Sequence, residues 1–293
     1  MTAGDATATR VPKVGERFVR ARRWLSLPPG VIVSLIFLTL VLAAVIAPSL
    51  LTSTQPLEAD PLNGLAAPSL AHPFGTDASG RDIYGRLVYG TRLSLSIAIL
   101  AILLALFIAV VLGLLSGLGG RVLDSAVGGA LDIWFAFPTL LLVIVIVATL
   151  GAHPSTMVIA MGIGAAPGYA RLVRGQVLSV RNRPYVEAAA VLGHPYVRVV
   201  VRTILPNALR PLVGVATVGV ADMIVVATSL GFLGLGAQPP SPEWGAMLAA
   251  GRDYFSTAWW VELFPGAVII TLALATATVG RHLLLSSEGR TAS

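Results

Sequence analysis

Long apolar runs alternate with shorter polar segments along the chain. The first uncharged run covers Val31 to Ala47, and a second extends from Leu93 to Leu118. A third runs from about Asp132 to Leu150, and a fourth, short and rich in glycine, from Met157 to Ala170. A fifth covers Leu212 to Leu235 and a sixth roughly Trp260 to Leu285. A helix needs about 20 predominantly apolar residues to cross a bilayer. The pattern therefore predicts an all-α membrane protein with six transmembrane helices. Pro138 predicts a kink in the third helix, and Pro167-Gly168 and Pro265-Gly266 predict breaks in the fourth and sixth. Gly119 to Leu131 reads as a short polar turn. The small residues of GLLSGLGG, from Gly113, allow close helix packing at the end of the second span.

The polar segments complete the division. Residues 1–30 form an N-terminal arm, 31–47 the first helix and 48–91 a long loop. Residues 92–285 hold the other five helices, interrupted by a basic loop at 171–210, and 286–293 form a short tail. The arm followed by an apolar run has the order of a signal peptide, but the run is long and lacks a clean cleavage site, so an uncleaved first span is expected.

The stretch from Arg171 to Arg210 holds seven arginines and one acid, Glu187. Pro184 suits a first helical turn, Glu187 lies near that helix's positive end, and Ala188, Ala189 and Ala190 favour helix. Gly193 supplies a stop and Pro195 prevents continuation. A second short helix is expected from Tyr196 to Leu205, ending before Pro206. The predicted outcome is a small, flat alanine face beside one carboxylate, open to another protein. The bland alternative for Glu187 is an exposed carboxylate balanced by arginines.

Composition supports the membrane assignment: hydrophobic residues make up 56% of the 293 and charged residues 12%, about half the charged share of a globular domain. The net charge of +6 comes from arginines clustered beside spans, where they set orientation, so nucleic acid is not implied. Sixteen of the 20 basic residues fall in segments that are cytoplasmic if both termini are inside, which predicts N-inside, C-inside. The absence of cysteine excludes disulfides, thiolate metal sites and a cysteine nucleophile.

Candidate chemistry is sparse. The only lysine, Lys13, follows Pro12, so no P-loop is present and any nucleotide must bind another chain. An intramembrane protease needs a Ser–His dyad, but His72, His153 and His194 lie in loops and His282 lies at the end of the last span. The scattered histidines suggest no metal site. Asp132 borders a span and is expected to cap its helix; Asp222 lies within one, either lining a pathway or bonding a neighbouring helix. An ion-coupled secondary transporter would need several such groups and an inverted repeat, and none is evident. Trp244, Trp259 and Trp260 fit an interfacial belt.

Several blocks together carry a resemblance. Glu187-Ala188-Ala189, Gly193 and Leu205-Pro206 resemble the EAA loop of ABC-importer permeases, with Thr203 where that pattern has isoleucine. The block HPFGTDASGRDIYGRLVYGTRLSL, His72 to Leu95, is similar to the segment before the second span in the peptide and nickel branch. DIWFAFPTLLL and SLGFLGLG resemble further blocks of that branch, with Gly231 where serine is common. The resemblance implies a type I permease subunit, C-type, of a dipeptide or oligopeptide importer in the bacterial inner membrane; nickel or other small solutes are the alternative cargo. It further implies a heterodimer with a second permease, two P-loop ATPases that bind ATP and Mg, and an extracytoplasmic binding protein. The implied ATPase-coupling residues are Tyr185, Glu187, Ala188, Ala189, Ala190, Gly193, Leu205 and Pro206. This chain would itself carry no catalytic, metal or cofactor site.

Overall fold

The computed structural model describes residues 27–287; the rest of the N-terminal arm and the tail beyond 287 lie outside the described residues. Helix α1 covers Pro29–Ile46, with proline in its first turn where a missing N–H needs no partner. Helix α2 covers Ile83–Leu118, α3 Gly120–Phe135, α4 Thr139–Leu150 and α5 Pro154–Arg181. Three short helices follow: α6 Pro184–Val191, α7 Tyr196–Val199 and α8 Leu205–Leu209, with a π turn Val200–Ile204 joining the last two. Helix α9 covers Leu212–Phe232, α10 Trp244–Gly251 and α11 Trp260–Ser287. Among the described residues, five helices, α1, α2, α5, α9 and α11, are long and apolar enough to cross a membrane, or six spans if the bent pair α3–α4 is counted as one. The architecture is all-α.

Several boundaries differ from expectation. Helix α2 starts at Ile83 rather than near Leu93, because Asp82 accepts a hydrogen bond from Gly85 N at 2.6 Å and so caps a helix that begins before the apolar run. At 36 residues it is about 54 Å long, well beyond a hydrocarbon core of about 30 Å. Gly119 to Leu131 is not a polar turn; it folds into α3, with Leu131 buried. Asp132 lies inside that helix and does not cap one. The expected third span divides near Pro138, where α3 and α4 meet at 81°, in keeping with the predicted kink.

Pro167 and Pro265 interrupt nothing: α5 and α11 run through them. Helix α5 packs closely along α2. A Cβ on Gly113 would stand 2.6 Å from Val173 Cγ1, one on Gly117 2.6 Å from Val177 Cγ1, and one on Gly162 2.7 Å from Leu104 Cδ2. The small-residue spacing read at Gly113 is thus the α2–α5 contact. The order of these contacts makes the two helices parallel, so both end on the same side of the bundle. Helices α9 and α11 are antiparallel, with Gly214 against Leu284 and Gly280 against Val218. One buried cluster, including Ile97, Met161, Leu230, Trp244 and Leu272, fills the centre; a second, including Val173, Val177, Val186, Ile204 and Ala208, lies beneath the short helices.

Candidate functional site

At the end of the bundle where α2 and α5 finish, the basic stretch divides into two parts. Arg171, Arg174 and Arg181 belong to α5 rather than to a loop. Arg171 Nη2 pairs with Asp132 Oδ1 at 2.6 Å, and its guanidinium carbon lies 4.3 Å from the centre of the Phe135 ring. Arg174 donates to both oxygens of Asp124, through Nε at 2.6 Å and Nη2 at 2.7 Å, and Ser116 donates to the same carboxylate. Arg181 donates to Gly117 O at 3.1 Å, near the C-terminal end of α2, where the helix dipole favours a cation. The end of α5 is therefore tied to both α2 and α3. Arg183, Arg198, Arg202 and Arg210 are exposed and form no ion pair among the described residues.

Helix α6 follows the local chemistry of its sequence. Pro184 opens it and Glu187 lies exposed in its first turn. Gly193 takes a φ of 78°, and His194 N donates to Ala189 O at 3.3 Å, a Schellman closure that favours glycine at this position. The alanine face is not uniform. Val186 is buried and Ala189 half-buried in the cluster with Val180 and Val199, whereas Tyr185, Glu187 and Ala188 are exposed. The side chain of Ala190 lies outside the described residues.

The outer surface is more apolar than the alanines implied: Val191 is 87% and Leu192 76% exposed, and Tyr196 and Val197 are exposed beside them. Sequence reasoning missed this patch, although Val191-Leu192 next to a helix-ending glycine was its visible signal. The second short helix does not end before Pro206. The π turn brings Leu205 N to Val200 O, and the chain continues through α8 with Pro206 in its first turn, a position where a missing N–H is tolerated. Leu205 is half-buried, Pro206 exposed, and the neighbouring Ile204 and Ala208 are buried.

At the opposite end of α2, the His72–Leu95 block holds two long loops together. Asp82 caps α2 and receives His72 Nδ1 at 2.9 Å. Arg86 donates to the carbonyls of Pro56, Pro240 and Ser241 at 3.1, 3.3 and 3.2 Å. A Cβ on Gly90 would stand 1.9 Å from Pro242 O, so only glycine permits that approach. Trp244 and Trp260 are buried, not interfacial, and their indoles donate to Leu87 O and Thr76 O; Trp259 is half-exposed.

Sequence reasoning did not single out Glu243. It is 1% exposed and caps α10 by accepting from Gly245 N at 2.9 Å and Ala246 N at 2.8 Å. Ser94 of α2 donates to Oε1 as well, at 3.4 Å. Burial pushes this carboxyl above the ordinary glutamate range, opposed by the two backbone N–H groups and Ser94. Its signal was a glutamate between Pro242 and a Trp-Gly helix start. Asp222 stands apart from both constellations: it lies exposed in the middle of α9 with no hydrogen bond or ion pair among the described residues.

The family model described as "Binding-protein-dependent transport system inner membrane component" matches residues 109–285, a span that includes the α5 pairs, the short helices and α9 to α11. The chain is 42% identical over 192 residues to the di/tripeptide transport system permease protein DppC of Pseudomonas aeruginosa, covering 66% of this chain and 63% of that protein. It is 44% identical over 192 residues to the dipeptide transport system permease protein DppC of Alkalihalophilus pseudofirmus, with the same 66% and 63% coverage. The match thus spans somewhat under two thirds of the length of these relatives. A chain of the MetNI methionine ABC transporter, in an inward-facing form, superimposes with a TM-score of 0.57 at 20% identity, covering 70% of this chain and 97% of that one. That likeness is one of fold, of the type I ABC importer kind. The chain belongs to the family of binding-protein-dependent transport system inner membrane components.

Proposed function

We propose that this chain is the C-type permease subunit of an ATP-driven importer of dipeptides or oligopeptides. It is a multi-pass protein of the bacterial inner membrane, here assigned N- and C-termini in the cytoplasm on the basic-residue bias. Its transport partners are a related second permease, two P-loop ATPases that hold ATP and Mg, and an extracytoplasmic binding protein. The peptide cargo rests on the relatives named as dipeptide and di/tripeptide permeases.

The observation that carries the coupling role is the surface of α6 and α7. Tyr185, Val191, Leu192, Tyr196 and Val197 form an exposed apolar patch bordered by Arg183 and Arg198. The arginines keep it out of hydrocarbon, and exposed apolar area of this kind marks a protein contact. Val186 and Ala189 anchor the helix from below. An ATPase groove seated on the patch moves α6, and the α5 ion pairs pass that motion to α2 and α3. ATP thereby shifts the population between outward- and inward-open states. Glu187 borders the ATPase contact.

The test is co-purification. Tagged chain, expressed with its second permease and the ATPases, retains the ATPases; the Leu192→Glu variant loses them while its membrane level is unchanged. Retention of the ATPases by that variant contradicts the coupling role. Saturable ATP binding by the purified chain alone contradicts the division of labour.

A further inference from the structure

Asp222 lies midway along the 21 residues of α9, on a stripe shared with exposed Val225 and Ser229 at helical spacing. A carboxylate at mid-bilayer depth facing lipid is strongly disfavoured. Such a stripe therefore faces protein or a water-filled path. Tyr169 of α5 is its neighbour. A Cβ on Gly219, one turn before Asp222, would come within 2.5 Å of the Tyr169 hydroxyl oxygen. Among the described residues every fully buried side-chain oxygen has a hydrogen-bond partner, whereas the Tyr169 hydroxyl has none; it therefore reaches accessible space. One carboxylate without an ion pair among the described residues and one free hydroxyl together select a positively charged, hydrogen-bonding group.

We propose that Asp222 and Tyr169 form a recognition station on the translocation path that takes the protonated amino terminus of the cargo peptide. The assignment of that group rests on the peptide cargo proposed above. An ammonium donates in three directions and so engages the carboxylate and the phenol oxygen together. The amino terminus is also the cationic group that peptides share whatever their side chains, so one station serves a mixed cargo. An arginine of the second permease is the competing occupant, and the experiment separates the two.

The chain has no cysteine, so Val225→Cys places a single thiol one turn from Asp222. In the assembled transporter, with the other subunits freed of cysteine, this thiol is expected to react at least about tenfold faster with a cationic than with an anionic methanethiosulfonate. Asp222→Asn abolishes that preference and lowers dipeptide uptake about tenfold, with ATPases and second permease still co-purifying; Asp222→Glu restores the preference. Equal rates for the two reagents, or no labelling, overturn the station. Loss of the second permease from the Asp222→Asn complex makes the residue an assembly contact and also overturns it. A wild-type complex that shows the charge preference but imports no peptide overturns the amino-terminus assignment together with the proposed cargo, while still placing Asp222 on the path.

Discussion

Arg174 grips Asp124 through two donors, Nε at 2.6 Å and Nη2 at 2.7 Å, and so fastens α5 to α3 across 50 positions of sequence. The fork geometry belongs to arginine and a lysine cannot reproduce it. Arg174→Lys is therefore expected to lower the thermal midpoint of the detergent-purified chain by a few degrees. Asp124→Asn lowers it similarly, and the double variant falls no further than the worse single. Fully additive losses would show that the two residues act independently. In the assembled importer, the same variants are expected to hydrolyse more ATP per peptide moved, because the link between α6 and the spans is loosened.

Two adjacent alanines separate docking from folding. Ala188 is exposed, whereas Ala189 is half-buried against the cluster of Val186 and Val199. Ala188→Arg is expected to leave the chain folded and to abolish ATPase co-purification. Ala189→Arg forces a guanidinium toward the buried cluster and lowers stability as well. Thermal unfolding of the chain without its ATPases distinguishes them: Ala188→Arg matches wild type and Ala189→Arg does not.

The difference between these alanines shows what was legible in the sequence. The span pattern, the Pro138 kink and the end of α6 at Gly193 all follow from local rules of hydropathy, proline and glycine. Each depends on residues close in sequence. The directions of Ala188 and Ala189 do not, because helix phase is set by what lies beneath, here Val180 on α5 and Val199 on α7. Likewise Arg171, Arg174 and Arg181 read as loop residues until Asp132, Asp124 and Gly117 supply their partners from distant helices. Pro167 reads as a break because the sequence does not show α2 packed along α5. Trp244 reads as an interfacial residue because its acceptor, Leu87 O, is 157 positions away.

Gly90 offers a test of the contact between α2 and the loop before α10. A Cβ there would lie 1.9 Å from Pro242 O, a backbone atom with no rotamer to change. Gly90→Ala is expected to destabilise the chain by about 1–3 kcal/mol through overpacking, seen as a lowered thermal midpoint. Gly128→Ala, where a Cβ meets nothing within 4 Å, serves as the control and is expected to match wild type or exceed it slightly, since alanine favours helix. Equal midpoints for Gly90→Ala and wild type would show that the loop yields freely.

Glu243 makes a prediction about pH. Its carboxyl is buried and pushed above the ordinary glutamate range, so the folded chain binds this proton more tightly than the unfolded one. The stabilisation linked to that proton is fully present below the unfolded pKa and is lost as pH rises through the folded one. Stability is thus expected to decline with increasing pH in the window just above the ordinary glutamate value. Glu243→Gln removes the titration and keeps one of the two oxygens that accept from Gly245 N and Ala246 N, so this segment of the stability profile becomes flatter while the midpoint falls less than for alanine. Glu243→Ala leaves those two N–H groups and Ser94 without their acceptor, and is expected to cost about 2 kcal/mol as a lost buried cap. The measurement is the thermal midpoint of the purified chain against pH for the three proteins. A Glu243→Gln profile parallel to wild type would show that this carboxyl keeps its proton, or its charge, throughout. A Glu243→Ala midpoint equal to wild type would show that α10 holds its place on Ser94 and α2 without the carboxylate.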